Sequence, residues 1–341
     1  MKIGIANDLP MVAESLRRIV SMRPGTRVAW IAKDGAEAVA MCAKETPDVI
    51  LMDMIMPNVD GVEATRRIMA HTPCAILVTT SSVGSNAQRV FEAMGYGALD
   101  AVDTPTLSSD GARVLLATID RIAKVVHSRN GAFTAPGVTA IQPMLSCTGL
   151  LAIGSSAGGP AALAKVLGGL PRNFPAAIVV VQHVDERFAA SLADWLNRLS
   201  PVPVRVAAEG DLPIPGTVLI AGTRDHLTFK SGNRLGYTPD PTDHVYRPSV
   251  DVFFQSMART WRGEGVGVLL TGMGRDGALG LKAMREKGWH TVAQDRATSA
   301  VYGMPKAAAE IGAAVEVLAL ERIADRIKLI FPADGVAAVN A

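Results

Sequence analysis

The sequence predicts an α/β protein made of two tandem doubly wound parallel-sheet domains. Three observations carry that expectation. Residues 2 to 122 hold five short apolar runs, each followed by a stretch of helical periodicity, and from Gly149 a second series of the same kind begins. Between the two series, residues 128 to 148 sustain no periodicity. A length of 341 residues also suits two cores better than one. Strands that alternate with helices make βαβ units, whose crossovers impose parallel strands with helices on both faces. The expected boundaries are 1–122 for the first domain, 123–147 for a linker and 148–341 for the second domain.

In the first domain the candidate strands are Lys2–Ala6, Arg27–Ala32, Val49–Met52, Ala75–Thr79 and Leu99–Val102. Amphipathic stretches such as Met11–Met22, Gly35–Lys44 and Gly61–Ala70 separate them. The second domain offers Leu150–Ile153, Ala176–Gln182, Val202–Ala207, Thr217–Ala221, Val266–Leu270 and Thr291–Gln294. Helical patterns follow several of these, at Pro160–Leu167, Ala189–Leu199 and Ala278–Lys287.

Composition narrows the function. Hydrophobic residues make up 49% and charged residues 19%, which describes a folded chain and not a disordered one. The net charge is +2 and no Lys/Arg cluster is long enough for a nucleic-acid arm, so no nucleic-acid partner is expected. Cys42, Cys74 and Cys147 are odd in number and lack metal-ligand spacing, which fits reduced thiols in a cytoplasm. The opening stretch Met1–Asp8 turns polar after a few apolar residues, so no secretory leader is expected. The most apolar run, Ala176–Val181, is too short to span a bilayer. The expectation is a cytoplasmic protein with no direct membrane insertion.

Functional groups in a parallel sheet gather at the carboxyl ends of its strands. In the first domain Asp8 follows the first strand, Asp53 ends the third and Thr79 ends the fourth. Either acid alone would suit a helix N-cap. Together, with Pro57 and Asp60-Gly61 after the second, they form a site that can hold Mg²⁺ through oxygen ligands and accept a phosphoryl group on one carboxylate. These residues resemble the response-regulator receiver family. The resemblance implies phosphorylation of Asp53 by a histidine kinase, Mg²⁺ binding that involves Asp8, and contact between the Thr79 hydroxyl and the phosphoryl group. Two positions depart from the family pattern. An acidic pair is replaced by Asn7-Asp8, and the family's switch lysine is replaced by Thr104 before Pro105.

In the second domain the strand Leu150–Ile153 runs into Gly154-Ser155-Ser156-Ala157-Gly158-Gly159-Pro160. Gly154, Ser156 and Gly158 match G-x-S-x-G, a sharp strand-to-helix turn that exposes its serine. A helix starting near Pro160 would aim free N–H groups back at that turn. Of the six histidines, His183 is best placed as a base, because it directly follows the apolar strand Ala176–Gln182. His226 and His244, in loops, are second choices. The orienting acid belongs at the same sheet edge, and Asp276 lies there, after Val266–Leu270. A competing pattern occupies the same loop. Gly272, Gly274 and Gly277 spell G-x-G-x-x-G, with Asp295 about where a ribose-binding acid would stand, so a dinucleotide-dependent oxidoreductase is an alternative.

Five motifs in order then resemble the CheB receptor methylesterase family: residues 153–159 (Ile-Gly-Ser-Ser-Ala-Gly-Gly), 181–183 (Val-Gln-His), 247–251 (Arg-Pro-Ser-Val-Asp), 270–277 (Leu-Thr-Gly-Met-Gly-Arg-Asp-Gly) and 302–305 (Tyr-Gly-Met-Pro). The resemblance implies hydrolysis of glutamate methyl esters on the cytoplasmic helices of methyl-accepting receptors, often with deamidation of receptor glutamines. It implies Ser156 as nucleophile, His183 as general base, Asp276 as orienting acid, the Met273 N–H as an oxyanion donor and Arg247 on the substrate side. It implies a CheA-type histidine kinase as partner, Mg²⁺ for the receiver and no cofactor for the esterase. N-terminal segments such as Ile5-Ala6-Asn7-Asp8-Leu9-Pro10 and Val102-Asp103-Thr104-Pro105 look closer to the WspF-like branch, which would explain Asn7 and Thr104 as features of a lineage. The remaining alternative is a phosphorylation-gated, non-enzymatic regulator that binds receptor or kinase.

Overall fold

The computed structural model describes residues 1–81, 86–105, 109–127 and 149–332. The chain divides into two compact units, Met1–Phe133 and Thr134–Ala341. In the first, strands and helices alternate strictly: β1 (Lys2–Ala6), α1 (Pro10–Ser21), β2 (Arg27–Ala32), α2 (Gly35–Lys44), β3 (Val49–Asp53), α3 (Gly61–His71), β4 (Ala75–Thr80), α4 (Ala87–Gly95), β5 (Asp100–Asp103) and α5 (Ser109–His127). The sheet order is β2-β1-β3-β4-β5 with every ladder parallel. Residues Val49 to Met52 are wholly buried, as a central strand covered on both faces requires. Asp34 and Asp60 start α2 and α3 by accepting the backbone N–H groups of Glu37 and Glu63.

The helix α5 runs to His127, so residues 123–127, expected to begin the linker, are helical. Its apolar side, Leu115, Ile119 and Ile122, packs into the core with Leu77 and Val102, and that anchoring carries the helix onward. The rest of the expected linker, 128–147, lies outside the described residues, and Cys147 with it. Cys42 and Cys74 are free thiols.

The second unit begins with β6 (Leu150–Ser155), α6 (Gly159–Gly168), β7 (Ala177–Gln182), α7 (Glu186–Leu199), β8 (Val204–Val206) and β9 (Val218–Ile220). A hairpin follows, β10 (His226–Phe229) and β11 (Leu235–Thr238), then α8 (Val250–Thr260). The chain closes with β12 (Gly265–Leu269), α9 (Ala278–Glu286), β13 (His290–Gln294), α10 (Met304–Glu310), β14 (Glu316–Leu318) and α11 (Leu320–Ile330). The main sheet has the order β14-β13-β12-β6-β7-β9-β8, again with parallel ladders throughout.

Each sheet has one place where the winding reverses. In the first it lies between β1 and β3, in the second between β6 and β12. A crevice opens there at the carboxyl ends of the strands. Among the described residues no helix is long and apolar enough to cross a membrane.

Candidate active site

Ser155 and Ser156 are neighbours with different surroundings. Ser155 closes β6, is fully buried and donates its hydroxyl to Gln182 Oε1 at 2.6 Å. Ser156 sits one residue later, partly exposed, where the chain turns into α6. Gly158 makes that turn with φ +72°, a left-handed conformation that a side chain resists. Gly272, from the loop after β12, comes so close that a Cβ on it would stand 2.8 Å from Ser156 Cβ. The Ser156 backbone N–H donates to Thr271 O at 3.0 Å, tying the two loops together.

His183 leaves the end of β7, beside β6, and its backbone N–H donates to Ser155 O at 3.0 Å. Gln182 staples the two strand ends: its Nε2 donates to Ser156 O and to His183 O, each at 2.9 Å. The imidazole stacks flat on Tyr246, with ring centroids 4.4 Å apart and 5° between the planes. At the ring edge His183 Nε2 lies 2.7 Å from Asp276 Oδ2.

Asp276 is held by the start of α8. Its Oδ1 accepts from Ser249 Oγ at 2.7 Å and from the Asp251 N–H at 3.0 Å, and its Oδ2 accepts from the Val250 N–H at 2.7 Å. Burial alone would raise its pKa; the bonds from His183, Ser249 and Val250 outweigh burial and hold the carboxyl below its usual range. A carboxylate bonded to Nε2 makes that nitrogen the protonated one and leaves Nδ1 with the lone pair. His183 Nδ1 is buried and has no hydrogen-bond partner among the described residues. Ser156 Oγ is therefore not yet bonded to it. Such a bond commonly closes only when substrate binds.

The backbone N–H groups of Ala157 and Met273 make no hydrogen bond among the described residues. Both flank the Ser156–Gly272 contact, and unpaired N–H groups in such a turn are able to meet a negatively charged oxygen. Met273 was expected there. Ala157 was readable from the same turn motif, and Gln182 from its place in Val181-Gln182-His183. Arg247 adjoins Tyr246; its guanidinium donates to Pro239 O at 2.9 Å and lies 3.4 Å from Asp225.

The glycine pattern at 272–277 serves packing. The α9 N–H groups that would cradle a pyrophosphate are occupied by a side chain of α8: Gly280 N–H donates to Asp251 Oδ1 at 2.6 Å. Thus Asp276 caps α8 while Asp251 caps α9. Asp295 closes its own turn, accepting from Thr298 N–H and Oγ at 2.9 and 2.6 Å.

A second cluster lies in the first unit. Asp53 Oδ2 accepts from Asn7 Nδ2 at 2.9 Å, and its Oδ1 from the Ile55 N–H at 3.3 Å. Burial pushes the Asp53 carboxyl up; the Ile55 and Met54 N–H groups oppose this, and the charge of Asp8 adds to it. Asp8 and Asp53 are two hard oxygen donors whose like charges a cation would offset, so the pair fits Mg²⁺. Thr79 pairs with Asp53 across the β3–β4 ladder, and its buried Oγ1 has no partner among the described residues. Thr104 holds the edge by donating its N–H to Thr80 O at 2.8 Å.

Comparison with known proteins agrees with this division. Residues 151–327 match the family model described as CheB methylesterase, and residues 3–110 match the response regulator receiver domain. A Burkholderia pseudomallei protein named protein-glutamate methylesterase/protein-glutamine glutaminase 2 is 57% identical over 331 residues, covering 96% of each chain. A similarly named protein of Cupriavidus pinatubonensis is 56% identical over 96% of each chain. The CheB methylesterase catalytic domain of Thermotoga maritima aligns with a TM-score of 0.50 at 36% identity, over 55% of this chain and 98% of that one. The chain is a hydrolase that belongs to the CheB methylesterase family and carries a response-regulator receiver domain ahead of its catalytic domain.

Proposed function

We propose that this chain hydrolyses glutamate methyl esters on the cytoplasmic helices of methyl-accepting, chemoreceptor-type proteins, under control of phosphorylation at Asp53. The observation that carries the catalytic part is the braced imidazole. Asp276 holds His183 by Nε2, which leaves a buried, unpartnered Nδ1 at the end of the strand next to the one that turns at the partly exposed Ser156.

Ser156 Oγ gives its proton to His183 Nδ1 as it bonds to the ester carbonyl carbon. The oxyanion forms against the Ala157 and Met273 N–H groups. The carbon–methoxy bond breaks, and methanol leaves with the proton from Nδ1. Water then gives a proton to Nδ1, attacks the acyl-enzyme and releases the glutamate carboxylate and Ser156 Oγ–H. A receptor glutamine would follow the same path with ammonia as the leaving group. Arg247, beside Tyr246, is suited to acidic side chains on such helices.

In the receiver, a CheA-type histidine kinase would supply the phosphoryl group to Asp53. Asp8 and Asp53 would hold Mg²⁺, which when bound offsets phosphoryl charge. The Thr79 hydroxyl is free to donate to the phosphoryl oxygens, and Thr104 stands where a lysine would add a charged contact.

Methanol release from a methylated chemoreceptor cytoplasmic fragment tests the reading. Ser156→Ala is expected to lose about 10⁴-fold or more in turnover. Near-normal release by that variant contradicts it.

A further inference from the structure

Outside the three proposed triad residues, one histidine has both ring nitrogens committed. His226 opens β10 and is fully buried. Its Nδ1 lies 3.0 Å from the Ser249 backbone nitrogen and its Nε2 lies 3.0 Å from Pro241 O. These partners settle the tautomer. A backbone N–H only donates, so Nδ1 accepts; a carbonyl only accepts, so Nε2 carries the proton. The ring is neutral with no lone pair to spare, which removes His226 as a candidate base. Protonation of Nδ1 would set two donors against each other. The surroundings resist that charge: burial lowers the pKa, the Pro241 carbonyl opposes, His244 and Arg247 lower it further, and Asp276 opposes weakly. The His244 ring stands edge-on at 5.6 Å between centroids.

The residue that His226 pins is the one that carries Asp276. Ser249 is the N-cap of α8; its Oγ donates to Asp276 and also accepts from the Val252 N–H at 3.3 Å. The next two N–H groups, of Val250 and Asp251, complete the cradle of the same carboxylate. An unbroken chain of bonds thus runs from Pro241 O through His226, Ser249 and Asp276 to His183.

We propose that His226 is a positioning residue of the esterase: as a neutral imidazole it fixes the Ser249 backbone, and through Ser249 and the first turn of α8 it fixes the carboxylate that braces His183. The inference rests on the triad reading. It differs from a purely structural role for a buried histidine in one respect. What matters for turnover is the acceptor at Nδ1, and the donor at Nε2 matters less.

Two amide replacements separate those functions in the full-length chain. In His226→Asn the side-chain carbonyl can stand where Nδ1 stands and still accept from Ser249. In His226→Gln the longer amide reaches the Nε2 position and Pro241, and leaves the Ser249 N–H unpaired. The assay is steady-state methanol release from a methylated chemoreceptor cytoplasmic fragment, with melting temperatures recorded for each variant. His226→Gln is expected to lower kcat by about 30-fold with KM within about 2-fold, short of the roughly 10²- to 10³-fold loss expected on replacing the orienting acid itself. His226→Asn is expected to stay within about 5-fold of wild type, and Ser249→Ala to lower kcat by about 10-fold, less than multiplicatively when combined with His226→Gln. The inference is overturned if Asn performs no better than Gln, or if Ser249→Ala keeps the kcat of wild type. If both His226 variants melt below the assay temperature, Ser249→Ala decides alone by the same criterion. Ser156→Ala runs alongside: if it stays active, the triad reading itself falls. If it is dead while Asn and Gln are equal, only the role of His226 falls.

Discussion

Asp53 ends the central strand β3 and Asp276 lies in the loop after β12, each at the carboxyl edge beside the point where its sheet reverses. The protein treats them in opposite ways. Asp276 receives four donors, from His183, Ser249, Val250 and Asp251, and its carboxyl is held below the usual range. Asp53 receives the Asn7 amide and backbone N–H groups, faces Asp8, and its carboxyl is pushed up. The difference fits the roles proposed above for the two acids. A brace must stay charged and still, so protein donors saturate it. An acceptor must react, so its lone pairs are left poorly matched and its charge costly until a cation and a phosphoryl group arrive. The orphan atoms agree. Among the described residues the buried side-chain polar atoms without partners are His183 Nδ1 and Thr79 Oγ1, one at each site. Such groups are costly, and a reaction is one reason for a fold to keep them.

Removing the reacting groups breaks the comparison most severely. Ser156→Ala and His183→Ala are each expected to lower kcat by about 10⁴-fold or more, with the double variant little worse. Asp276→Asn should be roughly 10- to 100-fold less damaging than either, because a brace orients and does not react. Steady-state methanol release distinguishes these cases. Equal losses from all three would erase the distinction between brace and base.

The acid cluster offers a sharper, smaller test. Asn7→Asp replaces the amide that bonds Asp53 with a third carboxylate and is expected to tighten Mg²⁺ binding by about 10-fold, read by titration calorimetry. Unchanged affinity would mean that Asn7 is not part of the metal-facing set.

The smallest effect concerns Asp251, whose carboxyl is pushed up to about 6 by burial, against the Gly280 N–H, with the charge of Asp276 adding to the rise. An acid with a raised folded-state pKa contributes stability that is complete below the unfolded value, about 4, and is lost as pH rises through about 6. Asp251→Asn keeps an acceptor for Gly280 and carries no charge. Its melting temperature relative to wild type should therefore rise between pH 4 and 7, by about 3 °C. A difference that stays flat over this range would show that Asp251 ionises without cost.

How much of this was legible in the sequence follows from the range of each interaction. Ser156, His183, Asp8 and Asp53 could be placed because each sits at or just after the end of an apolar run, and Asp276 because it lies in the loop that follows one; strand ends in a parallel sheet share one edge. The contacts that Gln182, Ser249 and Tyr246 make could not, since their partners lie far along the chain: Gln182 reaches Ser155, and Ser249 reaches Asp276, each across 27 residues. The helix α8 carried a readable signal, with Ser249 as cap and Val250, Phe253, Phe254 and Met257 at helical spacing. The hairpin was marked by Ser231-Gly232-Asn233 between short apolar runs. Expected strand Val202–Ala207 shortens to Val204–Val206 because Pro203 has no N–H for a ladder. The glycine pattern at 272–277 passed every local test for a dinucleotide loop. What opposes that reading, Asp251 on the α9 N-terminus, comes from another helix that pattern matching cannot see.

In the proposed mechanism Asp276 and His183 are prearranged to activate Ser156 and no other serine. A fluorophosphonate probe incubated with the full-length chain, followed by peptide mass spectrometry, tests it directly. The expected result is a single phosphonyl adduct on Ser156 in wild type, absent in His183→Ala. Labelling of Ser155, which the structure buries against Gln182, or labelling of Ser156 that persists without His183, would contradict the account.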